Sequence, residues 1–152
     1  MAIRSSSRAI VLRHAEILLN RCIDNLGETY YVLPGGGQRP FESLEQAAVR
    51  EVLEETGYRV RVLRFCALAE VIRNPAGLAQ EDMDYAHRIH HIFLAELVGE
   101  RRREFVETDC GQQDSVWAPV CEVDALNLRP GILKARICEV LGSDAPVYLG
   151  CE

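Results

Sequence analysis

Apolar and β-branched residues recur in short runs, and the runs follow two periods. Residues 7–12 and 17–23 read as strands, and Asp24-Asn25-Leu26-Gly27 reads as the turn into a third at 29–33. The stretch 58–72 carries Val, Ile, Phe and Leu with interleaved Arg, which predicts one long strand or two bent ones. Further strands are predicted at 88–98 and, around Trp117, at 115–120. The helical period occurs twice. Over residues 44–56, Ala48, Val49, Val52, Leu53 and Thr56 share one face. Ser43 with Gln46 three residues on forms a capping box, and Gly57 is a stop. A second helix is predicted over 131–141, opened by Pro130 and followed by Gly142. The connections 74–86 and 99–114 are polar and long enough for functional loops. No repeat or domain boundary interrupts the pattern, so the expectation is a single α+β domain over 1–152 built on a mixed sheet.

Composition narrows the function classes. With 152 residues, 48% hydrophobic and 26% charged, the chain suits one globular domain whose core needs no disulfide or structural metal. The net charge of −6 argues against a protein that lives on nucleic-acid backbones. Lys134 is the only lysine among 17 basic residues, which nearly removes P-loop and Schiff-base chemistry. Apolar runs such as 92–95 and 65–69 fall far short of the ~20 residues of a membrane span. The stretch 9–12 is too short for a signal-peptide core, and a cytoplasmic location is expected. The six cysteines (Cys22, Cys66, Cys110, Cys121, Cys138 and Cys151) form no C-x-x-C pair, and are expected to be small buried side chains.

The informative stretch is Pro34-Gly35-Gly36-Gly37-Gln38-Arg39-Pro40-Phe41-Glu42, followed by a helix ending Arg50-Glu51-Val52-Leu53-Glu54-Glu55-Thr56-Gly57. Glu51, Glu54 and Glu55 are spaced i, i+3, i+4 and so fall within about 100° of arc. Like charges at that spacing destabilise a helix, and a hard divalent cation removes the conflict. Oxygen-only ligands with positions left for water and phosphate suit Mg²⁺ or Mn²⁺. Arg50 is placed i, i+4 to Glu54 and can orient it. Gly35, Gly36 and Gly37 let the backbone turn tightly and bring N–H groups to a bound phosphate, although a Gly triplet alone more often marks a plain turn. Glutamates on a helix are likewise usually a solvated face, and only the combination points to a site.

Gly36, Glu42, Arg50-Glu51-Val52, Glu54-Glu55 and Gly57-Tyr58, at these spacings, resemble the Nudix box. Its fixed residues are all matched, and a chance match at a given position is on the order of 10⁻⁸. Tyr58 stands where an aliphatic residue is usual, and Phe41 where Gly often precedes the first Glu. The resemblance implies a Nudix-type α/β/α sandwich that hydrolyses a nucleoside diphosphate linked to a moiety X. It implies Glu51, Glu54 and Glu55 as metal ligands, with Glu51 doubling as a base in some members. It also implies Arg50 as the glutamates' structural partner, and Glu42 as fixing the loop–helix geometry or assisting the metal. The cofactor expected is Mg²⁺, with Mn²⁺ as substitute. The partner expected is a small nucleotide, with neither nucleic acid nor membrane, and a homodimer is one assembly considered. Nucleoside triphosphates, nucleotide sugars, ADP-ribose and dinucleoside polyphosphates fit the sequence about equally well. The main rival is a catalytically idle Nudix-type domain that senses a nucleotide or binds a protein; a nonhydrolytic enzyme of related fold is a third reading.

Weaker signals lie elsewhere. His87 and His91 share one strand face and His90 takes the other; half-buried or substrate-stacking histidines are the bland reading, a metal site the sharp one. Arg101-Arg102-Arg103 reads as a solvated hairpin tip or a phosphate grip. Trp117 is expected in the core. Glu81, Asp82, Asp84, Glu107, Asp109 and Asp114 are candidates for a general base from a later loop.

Overall fold

The structure, a computed structural model, describes residues 2–99 and 111–152. Its strands are β1 (Arg4–Arg13), β2 (Glu16–Ile23), β3 (Thr29–Val32), β4 (Gly35–Gly37), β5 (Val60–Ile72), β6 (His87–Leu97), β7 (Gln112–Pro119) and β8 (Val147–Cys151). Helix α1 spans Leu44–Thr56 and α2 spans Gly131–Gly142, with 3₁₀ turns at Gln80–Tyr85 and Val120–Ala125.

The continuous apolar runs of β1 and β2 are buried on both faces, as strands covered on both sides require. Ile10, Ile17 and Leu19 point into one core with Leu133, Ile137 and Val140 of α2. Ala9, Val11 and Leu18 point into a second core with Val52 of α1 and with Tyr58 and Val60. Helices therefore pack on both sides, giving the α/β/α sandwich expected from the sequence.

β1 is the pivot of the mixed sheet, whose order is β3-β2-β1-β6-β5-β8. Its positions 4–11 run parallel to 88–95 of β6, while Leu12 and Arg13 pair antiparallel with Ile17 and Glu16 of β2. β4 pairs with the other edge of β1, setting Gly36 opposite Ser7, and β7 pairs with β2. β5 is one strand with two register shifts, the bent form of the sequence expectation.

Several expectations need correction. The Gly35-Gly36-Gly37 triplet is a short strand held by β1, not an open turn. Strand β8 has no counterpart among the expected elements, and the connection 74–86 contains a 3₁₀ turn. Cys22 and Cys66 are buried as expected, but Cys121, Cys138 and Cys151 are exposed; Cys138 is off the α2 face that buries Leu133, Ile137 and Val140. Cys110 and Arg101–Arg103 lie outside the described residues. Trp117 is partly buried against the α1-side core. Among the described residues no helix is long and apolar enough to cross a membrane.

Candidate active site

Helix α1 starts and stops where its sequence says. Gln46 N–H donates to Ser43 Oγ at 3.1 Å, Ser43 N–H donates to Gln46 Oε1 at 2.8 Å, and Gly57 closes the helix at φ 74°. The unusual Tyr58 has a local reason: it is buried, and its hydroxyl oxygen accepts from Trp117 Nε1 at 3.0 Å. Residue 41 has φ 64°, a left-handed conformation that favours glycine, yet it is a fully exposed phenylalanine.

Arg50 organises the carboxylates. Its Nε donates to Glu42 Oε1 at 2.7 Å and its Nη2 to Glu42 Oε2 at 2.9 Å. Its Nη1 donates to Glu51 Oε1 at 2.5 Å and to Glu54 Oε2 at 3.1 Å, and its Nη2 also reaches the Gly37 carbonyl at 3.0 Å. One guanidinium thus bridges three glutamates and ties α1 to β4. The hydrogen bonds from Arg50 hold the Glu42 carboxyl down at about 2, and those carboxylates push the Arg50 pKa up. Both Glu42 oxygens face Arg50, and Oε2 also accepts the Arg39 N–H at 3.0 Å. Of its two expected roles, this geometry matches the fixing of the loop–helix junction.

The glutamate trio divides. Glu51 and Glu54 line one cavity of about 420 Å³ together with Gly36 and Gly37. Glu55 is buried, its Oε2 accepting from Asn20 Nδ2 at 2.7 Å and from Gly35 N–H at 2.8 Å, and it lines an adjoining cavity of about 350 Å³. A helix spacing that puts three residues within an arc does not make their side chains converge, because β2 and β4 pack over Glu55. The Gly35 N–H is consequently committed to Glu55 rather than open to a phosphate. Gly36 is glycine for space: a Cβ there would sit 2.6 Å from the Glu51 carboxylate.

Among the described residues no three His, Cys, Asp or Glu side chains form a ready ligand group. Two oxygen donors from Glu51 and Glu54 facing an open, polar cavity do fit Mg²⁺, which keeps several waters and takes phosphate oxygens.

The arginine lining of this cavity has no local signal in the sequence. Arg4, Arg8 and Arg88 line the Glu51/Glu54 cavity with Arg39 and Tyr85, and Arg8, Arg88 and His90 line both cavities. Arg4 and Arg8 on β1, and Arg88 and His90 on β6, sit at positions where strand alternation turns each pair toward one face. His90 is buried; its Nδ1 lies 2.6 Å from Ser6 Oγ and 3.3 Å from the Arg8 Nε that donates to it. Burial, and then the nearby arginines, holds His90 neutral, with its pKa down to about 2. His91 Nδ1 is 3.1 Å from the Ser6 carbonyl, and His87 Nε2 is 3.6 Å from Glu70 Oε1, so the three histidines do not converge. Of the loop acids, Asp114 is engaged by Arg21 through two 2.8 Å bonds, and Asp82 and Asp84 are exposed in the 3₁₀ turn. Glu107 and Asp109 lie outside the described residues, as does the Glu81 side chain.

Comparison with known proteins gives the same outline. A NUDIX hydrolase structure from Nitrosomonas europaea matches with TM-score 0.74 at 21% identity, over 92% of this chain and 88% of that one. A UDP-X diphosphatase matches at 0.69 and 21% identity, over 100% and 68% of the chains. An ADP-ribose pyrophosphatase from Streptococcus suis matches at 0.64 and 20% identity, over 99% and 100%. At such identities the likeness is one of fold. YtkD of Bacillus subtilis, provisionally named an 8-oxo-dGTP diphosphatase, is 48% identical over 42 residues, which span 28% of this chain and 27% of that curated relative. The family model described as NUDIX domain matches residues 3–136, and with a match over most of its length the chain belongs to the NUDIX family.

Proposed function

We propose that the chain is a divalent-metal-dependent Nudix hydrolase that cleaves the diphosphate linkage of a nucleoside diphosphate joined to a moiety X. The products are a nucleoside monophosphate and phosphorylated X or pyrophosphate. The observation that carries this reading is that Glu51 and Glu54 line one cavity together with Arg4, Arg8, Arg39 and Arg88. Two carboxylates suit a cation and the arginines suit phosphate oxygens, so the cavity is built for a charged anhydride rather than for an apolar ligand. Mg²⁺, or Mn²⁺ in its place, held by Glu51 and Glu54, would supply charge neutralisation and lower the pKa of a bound water.

The residues divide the work. Arg50 fixes the rotamers of Glu51 and Glu54, so the carboxylates wait in place rather than being ordered at each turnover. Glu51, pressed against Gly36, accepts the proton of the attacking water. Glu55, bonded to Asn20 and Gly35, locks the end of α1 to β2 and β4, with a supporting role in metal binding. Gly36 and Gly37 form the floor on which the diphosphate lies.

The test is a screen of purified protein with Mg²⁺ against nucleoside diphosphate derivatives, with products identified by mass, alongside Glu54→Gln. The amide keeps one neutral oxygen but loses the charge that holds the cation, so kcat is expected to fall by at least ~10³ with the fold intact. Wild-type turnover by that variant at saturating Mg²⁺ would overturn the metal assignment. Tight binding of one nucleotide with no turnover of any would favour the idle, nucleotide-sensing reading.

A further inference from the structure

The arginine wall carries more positive charge than a diphosphate needs. Arg4, Arg8, Arg39 and Arg88 line the Glu51/Glu54 cavity, four cations against two carboxylates. Among the described residues, Arg39 alone of the four has a carboxylate within ion-pair distance, Glu54 at 3.5 Å. Arg50 belongs to neither side of this balance, because Glu42 neutralises it behind the cavity.

The arrangement opposes folding in the absence of a ligand. Arg4 and Arg88 are direct cross-strand partners in the β1–β6 pairing, where like charges are destabilising. Arg88 Nε is buried without a hydrogen-bond partner, and no carboxylate lies within ion-pair distance of Arg88 among the described residues. Burial, and then Arg73, Arg8 and Arg4, lowers the Arg88 pKa to about 10, so the group stays cationic near neutrality while its neighbours repel it. Among the described residues Arg8 donates to the Leu33 carbonyl and to His90, both neutral. Arg4 lies over the Tyr85 ring, 4.3 Å from its centroid, which holds the guanidinium at the cavity mouth without neutralising it. A protein with net charge −6 has acids to spare, so an arginine cluster that runs from exposed Arg4 to partly buried Arg8 and Arg88, with no carboxylate in ion-pair reach of these three among the described residues, is a site suited to an anion.

We propose that Arg4, Arg8 and Arg88 form a specificity site for the terminal phosphates of a nucleoside triphosphate, making triphosphates the substrate class. This rests on the hydrolase reading above. A cation held by Glu51 and Glu54 would bring the cavity lining to about four positive charges, matching the about four negative charges of a triphosphate and exceeding the about two of a nucleotide sugar or ADP-ribose. Because Arg8, Arg88 and His90 are shared by the two cavities, the nucleoside occupies the cavity lined by Tyr30, Val32 and Asn20, and the terminal phosphates lie on the glutamate side. Water oxygen bonds to one phosphorus of the α–β anhydride as the bridging P–O bond breaks and a proton passes to base. Nucleoside monophosphate and pyrophosphate leave.

The experiment measures kcat and KM for nucleoside triphosphates, ADP-ribose and a UDP-sugar with wild type, Arg88→Gln, Arg88→Lys and Arg4→Gln. Wild type is expected to favour triphosphates by at least ~10-fold in kcat/KM. Arg88→Gln is expected to cut that preference at least ~10-fold, mainly through KM, with partial return in Arg88→Lys. Arg4→Gln, at an exposed strand end and therefore safe for folding, should move the preference the same way by less. A wild-type preference for ADP-ribose or the UDP-sugar, or an equal loss on both classes in Arg88→Gln, would overturn the proposal. If no compound is hydrolysed, the hydrolase reading fails separately. Calorimetric binding of a non-hydrolysable triphosphate against a diphosphate analogue then decides this one, with an Arg88-independent difference counting against it.

Discussion

Arg50 is worth more than an ordinary surface cation, because its side chain and that of Glu42 are only 16% and 14% exposed and its other bonds run to Glu51, Glu54 and the β4 backbone. Removing it leaves three partly buried glutamates without their shared partner, and breaking such a pair costs about 3 kcal/mol. Arg50→Ala should therefore lower Tm by roughly 6–12 °C at neutral pH, at ~2–4 °C per kcal/mol for this size. The pH dependence has a definite sign. The folded Glu42 pKa, about 2, lies below its ordinary 4.5, so its stabilisation is present above about 4.5 and is lost as pH falls toward about 2. The stability gap between wild type and Arg50→Ala, from denaturant melts, is expected to narrow over that window. A pH-independent gap would mean that Arg50 stabilises by packing rather than by its carboxylate bonds.

At the scale of elements, β4 separates two reasons for glycine. Gly35 has φ 144° and a Cβ there would lie 2.3 Å from the Ser7 carbonyl oxygen, backbone that cannot give way. Gly36 has an ordinary φ, and the atoms nearest its Cβ would be those of the Glu51 carboxylate, a side chain that can move. Gly35→Ala is thus expected to cost about 2–3 kcal/mol of stability. Gly36→Ala should keep its Tm within a few degrees yet lose at least ~10-fold in kcat, as Glu51 is displaced. Equal melting losses in the two variants would show that the strand, not the carboxylate, sets the limit at position 36. The same strand marks where sequence reading stops. Three glycines have no strand propensity, and β4 exists because β1 offers its edge. β8 is a five-residue strand that only its parallel pairing with β5 defines. The capped helix α1 and the doubly buried β1 and β2 were legible because their signals are local. Glu51 and Glu54 were legible through the motif, whereas the divergence of Glu55 and the convergence of Arg4, Arg8 and Arg88 depend on pairings between strands far apart in sequence.

For the whole molecule, the opposed charges of the two cavity walls tie ligand binding to stability. Residues from β1, β4, β6 and α1 meet at the Glu51/Glu54 cavity, so a ligand held by its lining links α1 to the strands beneath it. The sequence alone suggests that folding crowds three glutamates against one another; in the structure Arg50 already relieves Glu51 and Glu54, which makes the gain from a cation alone smaller. A ligand specific for the folded state adds ~2.7 kcal/mol at 100 times its Kd, or roughly 5–11 °C in Tm at this chain length. Mg²⁺ keeps several waters and completes its shell with phosphate, so it should give a small shift alone, Mn²⁺ a larger one, and metal with a non-hydrolysable nucleotide the largest. The arginines enter whenever a nucleotide is present, their mutual repulsion replaced by bonds to phosphate, and with metal the cation and the arginines hold the same phosphates, so that shift should exceed the sum of those from metal and nucleotide separately. Thermal melts of wild type and Glu51→Gln/Glu54→Gln across these additions test the coupling. The double variant should lose the metal-only shift and the excess over additivity, while retaining a nucleotide-only shift from the arginine wall. Metal-dependent shifts of equal size in both proteins would place the cation away from α1, and the next residues to substitute would be His87 and Glu70, which already lie 3.6 Å apart.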